Sequence, residues 1–300
     1  MREFENRPMM EWVEREALRM QAVVTAAMSE HVGPYTTTLS AVLSPEEGEH
    51  VGTGSYVCLD GKPYLFTNEH VAAARTLHPL AHQLGDHYVH LTNPFQALDY
   101  PLDVAIARIE ESAWQSVQHT SDALPAQRLG NRYDPVENEL LFVVGFSGER
   151  SYFSPGFGSL FTPGTPYLTQ ETVVPEKWGN EATFALLYNS EGAASLDGST
   201  RGLPGAHGFS GSLVWDTKAM RCFNEQREWG PELAEVTGIV WGWPTSAVCL
   251  LATKIEYVRE FTLHALRREA AYFSWQARGR PSGDDWIDWY EAVQAKPCIR

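Results

Sequence analysis

One histidine, one aspartate and one serine in this chain have the types, the order and the local setting to do covalent chemistry together. His70 follows the strand-like stretch GTGSYVCLDGKPYLFTNEHVA, Asp103 opens the apolar run of PLDVAIARIE, and Ser210 sits in the glycine-rich LPGAHGFSGSLVWD. A serine hydroxyl at its ordinary pKa is a weak nucleophile. It needs an imidazole to take its proton and an acid to orient that imidazole. The order here is His, Asp, Ser, whereas an α/β-hydrolase runs Ser, acid, His around a G-x-S-x-G elbow. Ser212 occupies the position of that final glycine.

Asp103 and Ser210 each have a rival nearby in type or pattern. Asp99 lies close to Asp103 but does not open the apolar strand. Ser147 belongs to an earlier copy of the same tetrapeptide, GFSG at 145–148, which directly follows the strand-like ELLFVVGF. Ser210 has the upstream glycines and a downstream Gly-Ser-aliphatic strand, so it is the expected nucleophile.

Other clusters point to ordinary structure. His78 and His82 are spaced to share one helical face, with His87 and His90 nearby, but no HExxH is present and no carboxylate or thiol completes a tetrahedral set. A solvated loop is expected there, with no metal and no cofactor. Cys58, Cys222, Cys249 and Cys298 form no CxxC pair and read as reduced, buried thiols. Arg267, Arg268, Arg278 and Arg280 read as the polar side of a late helix. With 23 basic against 38 acidic side chains the net charge is −15, which repels a phosphate backbone and argues against a nucleic-acid partner. No run approaches the roughly 18 apolar residues of a membrane span, and the acid-bearing N-terminal stretch lacks a signal-peptide pattern. The expectation is a cytoplasmic protein without a membrane partner.

The elements that must position these residues are mainly strands. Met9, Trp12, Val13, Ala17, Met20, Val23 and Val24 recur at helical steps over 8–30, after which Gly33-Pro34 ends the pattern. From Tyr35 the chain turns to short β-branched and aromatic runs, beginning with TTTLSAVL and with GSYVCL and KPYLFTN around Asp60-Gly61, a hairpin signal. Further runs lie at 88–92, 103–109, 139–146, 168–174, 182–188, 212–215, 235–241 and 248–253. The segment 112–132, poor in β-branched residues, reads as a linker between two groups of strands. Helical spacing returns at Ile255, Val258, Phe261, Leu263 and Leu266, and a short helix follows at DWIDWYEAV. The Trp-rich tail, Trp275, Trp286 and Trp289, is expected to pack against the β body.

In TNEHV, DVAIARI, GFSGS and GIVWG, spread in this order over Gly52 to Gly242, the chain resembles the chymotrypsin-fold serine peptidases. It is closest in motif style to the bacterial glutamyl-endopeptidase and HtrA-like branches. The resemblance implies an all-β fold of two six-stranded antiparallel β-barrels with N- and C-terminal helices. The expected divisions are a helical arm at 1–34, the double barrel at 35–258 (barrels about 35–115 and 133–258), and a helix and tail at 259–300. It also implies a His70, Asp103 and Ser210 triad in the cleft and an oxyanion hole at the N–H groups of Gly208 and Ser210.

Secreted trypsins carry an acid just before the serine that pairs with a newly cut N-terminus. Phe209 stands there, so that activation is not open to this chain. Pro204, His207, Val240, Trp241 and Trp243 are the expected pocket residues. Pro204 replaces the aspartate that selects Arg or Lys, Val240 replaces the histidine of glutamyl peptidases, and Trp243 restricts depth, which favours small or modest apolar P1 side chains. An acid from the long 152–203 insertion is the alternative and would select Arg or Lys. The expected activity is hydrolysis of a protein or peptide substrate, with a regulatory protein partner in a stress or phage-defence setting as a further expectation. The alternative is a catalytically silent binding module on the same fold.

Overall fold

Two antiparallel sheets and two long terminal helices carry the chain. The computed structural model describes residues 7–44, 47–154, 159–190, 192–193, 202–280 and 285–295. After helix α1 (Arg7–Val32), the first sheet is made from β1 (Thr36–Ser44), β2 (Glu47–Leu59), β3 (Lys62–Thr67), β4 (Leu80–Leu84), β5 (His87–His90), β6 (Gln96–Leu98) and β7 (Val104–Arg108), with β8 (Leu124–Pro125) parallel to β2. Helices α2 (Glu69–Ala73) and α3 (Glu111–Trp114) interrupt this run. The strand order is β5-β4-β1-β2-β3-β7-β6.

The second half contains β9 (Leu141–Phe146), a separate hairpin of β10 (Tyr152–Ser154) and β11 (Ser159–Phe161), then β12 (Gly164–Thr169), β13 (Glu171–Thr172), β14 (Thr183–Leu187), β15 (Leu213–Asp216), β16 (Glu235–Gly242) and β17 (Cys249–Lys254). Its sheet runs β12-β9-β15-β16-β17-β14-β13. Helix α4 (Ala219–Asn224) lies between β15 and β16, and α5 (Ile255–Ala277) and α6 (Asp285–Gln294) close the chain. This is the chymotrypsin-like double-barrel class. Its sheets hold eight and seven strands rather than six each. The additions include β6, β8 and β13, which are two or three residues long and too short to show any alternation.

Local sequence explains the main elements. Asp60 and Gly61, both at positive φ (49° and 73°), make the tight turn that sets Leu59 opposite Lys62. The continuous apolar run of β9 is buried on both faces. Phe142 and Val144 enter the core between the sheets, while Leu141 and Val143 enter a second core inside the second sheet. The inter-sheet core takes Val57, Phe66 and Ile106 from one side and Leu213, Trp215 and Val236 from the other. Both long helices are built into it: Val24, Met28 and Val32 of α1 at four-residue steps, and Ile255, Val258 and Phe261 of α5. Val23, expected on the buried stripe of α1, is exposed.

Three expectations change. Helix α6 packs on α5 through the Arg278 guanidinium, whose Nε donates to buried Asp288 at 2.9 Å, and Trp286 and Trp289 stay exposed instead of covering the sheets. Its inward positions, Asp288 and Ala292, are four residues apart and face α5, which leaves both tryptophans on other sides. His82, His87 and His90 lie on the β4–β5 hairpin rather than in a loop or helix and His82 is fully buried, while His78 sits in the exposed bend before β4. Of the thiols expected to be buried, Cys222 and Cys249 are buried and Cys58 is only half-buried; all three are free, and Cys298 lies outside the described residues. Among the described residues no helix is long and apolar enough to cross a membrane.

His82 makes acid stability measurable. Tyr56 donates its hydroxyl to the Gln83 carbonyl, so His82 Nδ1–H donates to the Tyr56 oxygen at 2.7 Å and Nε2 is left buried without a partner. Burial, aided by His119, holds the His82 pKa down to about 3 from 6.5. Below pH 6.5 the unfolded chain takes up a proton that the folded chain refuses, so stability is lost as pH falls toward 3. Between pH 6 and pH 4 this histidine should contribute a slope of about 1.4 kcal/mol per pH unit. Denaturant unfolding across that range should show the slope in the parent and a slope shallower by that amount in His82→Asn.

Candidate active site

The histidine and the aspartate come from neighbouring elements of the first sheet. Strand β3 ends at Thr67, and buried Asn68 starts the single turn α2 that carries His70. Asp103 precedes β7, which pairs with β3, and has a left-handed backbone (φ 47°), rare for a residue with a side chain. Four hydrogen bonds hold it there. Its N–H donates to the Asp99 carbonyl at 3.1 Å and its carbonyl accepts from the Asn68 side chain. Its carboxylate accepts from the His70 N–H at 3.1 Å and from His70 Nδ1–H at 2.6 Å. Asp99, the rival acid, contributes only a backbone carbonyl to this set, and its side chain is exposed. The His70 ring is about half exposed (48%) and its Nε2 edge is the one left for chemistry.

Ser210 comes from the second sheet, on the loop entering β15, and is fastened to the first. Thr53 of β2 donates its N–H to the Ser210 carbonyl at 2.8 Å and its hydroxyl to the Gly208 carbonyl at 2.7 Å. Gly208 and Gly211 have φ of 98° and 93°. A Cβ on Gly208 would lie 2.3 Å from His50 Nε2, and one on Gly211 would lie 1.9 Å from the Thr53 carbonyl oxygen. Only glycine fits both places. Around them Phe209 N–H donates to Ala206 and Gly211 N–H to Val240, whereas the Gly208 and Ser210 amides have no acceptor among the described residues.

Both halves open onto one cavity of about 330 Å³, lined by residues that include His50, His70, Gly208, Ser210, Trp241 and Trp243. The expected pocket residue His207 also lines it, with its ring edge-on to Trp243 at 5.0 Å. Pro204 and Val240 do not. Val240 is buried in the core of the second sheet, and Pro204 is buried with its carbonyl accepting from the Tyr188 hydroxyl at 2.7 Å. Trp243 packs edge-on against Tyr188 at 6.3 Å, and a Cβ on Gly205 would lie 2.4 Å from the Glu149 carboxylate and 3.2 Å from the Trp243 ring. Residues 155–158, 191 and 194–201 of the insertion expected as a second source of a pocket acid lie outside the described residues.

His50, missed in the sequence, is the third imidazole at the cavity. Its Nδ1 accepts from the Thr38 hydroxyl at 2.8 Å and its Nε2–H donates to the Phe146 carbonyl at 2.8 Å, which fixes a neutral tautomer. Burial pushes its pKa below the ordinary value, against the opposite effect of the Phe146 and Gly208 carbonyls. Its only local signal is a histidine two residues before a strand glycine, which any half-buried strand could show.

Among the described residues, the ionisable side chains lining this cavity are the histidines His50, His70 and His207. Ser210 donates its hydroxyl to the Trp241 carbonyl at 3.4 Å, a long bond that a rotation about χ1 releases. Ser147, the rival serine, is fully buried and donates its hydroxyl to the Gly205 carbonyl at 2.7 Å. Among the described residues no group of three His, Cys, Asp or Glu side chains is placed to hold a metal.

Comparison with known proteins adds a backbone likeness and one short family match. The family model described as a protein of unknown function (DUF2934) matches residues 268–295, the end of α5 and the whole of α6. No curated protein matches the sequence. Among solved structures, one described under the coupled folding and binding of the Sesbania mosaic virus VPg protein is 15% identical, over 74% of this chain and 87% of that one, with a TM-score of 0.42. The active form of the Rv3671c protease from M. tuberculosis is 16% identical, over 78% and 81%, with a TM-score of 0.41. At such values the chemistry has to be read from the site itself.

The close approach at Gly211 gives a stability test. Gly211→Ala should cost at least about 2 kcal/mol, because its Cβ meets main chain that cannot move aside and its φ is unfavourable. Gly61→Ala, at similar φ but with open space around it, should cost about 1 kcal/mol. Chemical denaturation of both variants gives the comparison, and equal losses would refute the crowding argument.

Proposed function

We propose that this chain is a serine endopeptidase. The observation that carries the reading is the 2.6 Å bond from His70 Nδ1–H to Asp103 at the rim of a cavity that Ser210 also lines. In this reading the Ser210 hydroxyl turns from the Trp241 carbonyl toward His70 Nε2 when substrate arrives, since catalytic hydrogen bonds often close only in the complex. His70 takes the hydroxyl proton as the Oγ–carbon bond forms. Asp103 keeps Nδ1 protonated and stabilises the imidazolium. The free Gly208 and Ser210 N–H groups receive the negative charge that develops on the carbonyl oxygen. His70 then gives its proton to the departing amine, and water, deprotonated by the same imidazole, releases the acyl group from Ser210.

The protein or peptide substrate is read as binding through its backbone and a small side chain, and the reading calls for no metal or cofactor. The free thiols of Cys58, Cys222 and Cys249 suit a reducing compartment. One observation favours a second reading, a non-catalytic peptide-binding module: the Ser210 hydroxyl is engaged by Trp241 rather than by His70.

A fluorophosphonate probe separates the two. The parent should be labelled at one serine and Ser210→Ala should not be labelled, with peptide hydrolysis falling by about 10⁶ in kcat, the loss typical of a removed triad serine. Unlabelled parent protein, or hydrolysis in Ser210→Ala within tenfold of the parent, contradicts the enzyme reading.

Specificity follows from Trp243. In this reading Trp243, which lines the cavity and packs edge-on against Tyr188, limits P1 to a small or modest apolar side chain. A positional-scanning peptide library should show that preference, and Trp243→Ala should move it toward larger apolar residues by about tenfold, the order of one or two methylenes gained in a pocket. Cleavage dominated by Arg or Lys at P1 would instead place the selecting acid in the 152–203 insertion.

A further inference from the structure

The first GFSG, at 145–148, has no part in the chemistry proposed above, yet it touches the nucleophile loop at successive points. Gly148 N–H donates to the His207 carbonyl at 3.0 Å. In a planar trans peptide the C=O and the following N–H point in opposite directions, so this bond turns the Gly208 N–H away from the 145–148 turn. Ser147 donates its hydroxyl to the Gly205 carbonyl at 2.7 Å, and the Glu149 carboxylate accepts from the Gly205 N–H at 2.7 Å. Gly205 is therefore gripped at both its donor and its acceptor. Phe209, fully buried, lies over Gly145, where a Cβ would fall 2.3 Å from its ring.

We infer that the Gly145–Glu149 segment is the positioning element of the oxyanion loop, holding it in working form in the uncut chain. The inference rests on the serine-peptidase reading of Ser210. In secreted relatives an acid before the serine pairs with a freed terminal amine to order this loop. Phe209 cannot ionise, and here an apolar anchor over Gly145 and two grips on Gly205 occupy the same loop. Ser147 and Glu149 are positioning residues: they act through the 205–208 backbone and touch no reacting atom.

The test is the rate at which the intact chain reacts with a fluorophosphonate. In that reaction the Ser210 Oγ–P bond forms, the P–F bond breaks, fluoride leaves, the hydroxyl proton passes to His70, and the phosphonyl oxygen takes the Gly208 and Ser210 N–H groups. Ser147 is buried, so its removal tests folding as well; Glu149 is exposed and separates the two effects. Glu149→Ala should slow labelling by about 10- to 100-fold, the order expected when a reacting group is misplaced by about an ångström. Its melting temperature and the pH midpoint of labelling should stay at parent values, because the His70–Asp103 pair is untouched. Glu149→Gln keeps an acceptor oxygen for Gly205 N–H and should restore the rate to within about threefold, allowing for the weaker uncharged bond.

Labelling of Glu149→Ala at the parent rate, a Gln variant no faster than the Ala variant, or labelling of the parent only after proteolysis would each overturn the inference. Loss of labelling in Ser210→Ala alongside any of these leaves the peptidase reading standing. Persistent labelling of Ser210→Ala overturns that reading instead.

Discussion

The hydroxyl of Thr53 is the point on which the site depends. It accepts from the Phe146 N–H at 3.0 Å and donates to the Gly208 carbonyl at 2.7 Å, while the same residue's N–H donates to the Ser210 carbonyl at 2.8 Å. Thr53 belongs to the first sheet; Phe146 belongs to the second, and Gly208 and Ser210 to the loop that enters it at β15. Each bond alone contributes about 1 kcal/mol, but losing the hydroxyl would orphan a buried donor and acceptor at about 1–3 kcal/mol each. The relative placement of the sheets is thus fixed at the cavity, with His70 on one side and Ser210 on the other. Thr67 extends the node by donating its own hydroxyl to the Thr53 carbonyl at 2.9 Å, one residue before the turn that leads to His70.

Asp103 shows how strain is held at such a site. A left-handed conformation costs a side-chain-bearing residue on the order of 1–3 kcal/mol and persists only where its surroundings over-determine it. Here its N–H, its carbonyl and both carboxylate oxygens are each engaged, and the partners Asn68 and His70 sit on the same turn. The strain therefore aims the carboxylate at the imidazole and fixes the backbone of His70 in the same step. A relaxed extended residue at the head of β7 would send its side chain along the normal alternation of the strand.

The parts legible in the sequence are those set by local rules. The Asp60-Gly61 turn, the doubly buried run of β9, the two helical stripes and the order of His70, Asp103 and Ser210 all follow from neighbours within a few residues. What was missed depends on partners far along the chain. His50 meets Phe146, nearly a hundred residues on, and nothing in EHVGTG records that partner. His82 looks like a surface histidine by composition and becomes a core residue only because Tyr56 closes over it. Trp286 and Trp289 misled in the other direction, since large aromatic side chains usually signal burial but α6 turns Asp288 and Ala292 inward.

The two copies of GFSG make the same point within one tetrapeptide. In the first, Phe146 ends a buried strand, Gly148 opens a single 3₁₀ turn, and the serine is sealed inside with its hydroxyl committed to Gly205. In the second, both glycines take positive φ, the serine is partly exposed, and two N–H groups have no acceptor among the described residues. The four residues do not decide between these outcomes. The strand that runs into the first copy carries it past Thr53 and His50, which take the Phe146 N–H and carbonyl, and delivers its serine into the buried turn against Gly205. The second copy precedes its strand, and there Thr53 takes the Gly208 and Ser210 carbonyls while the N–H groups of those two residues meet no acceptor among the described residues. One copy becomes the support and the other the supported, and the loop between 205 and 209 is where they touch.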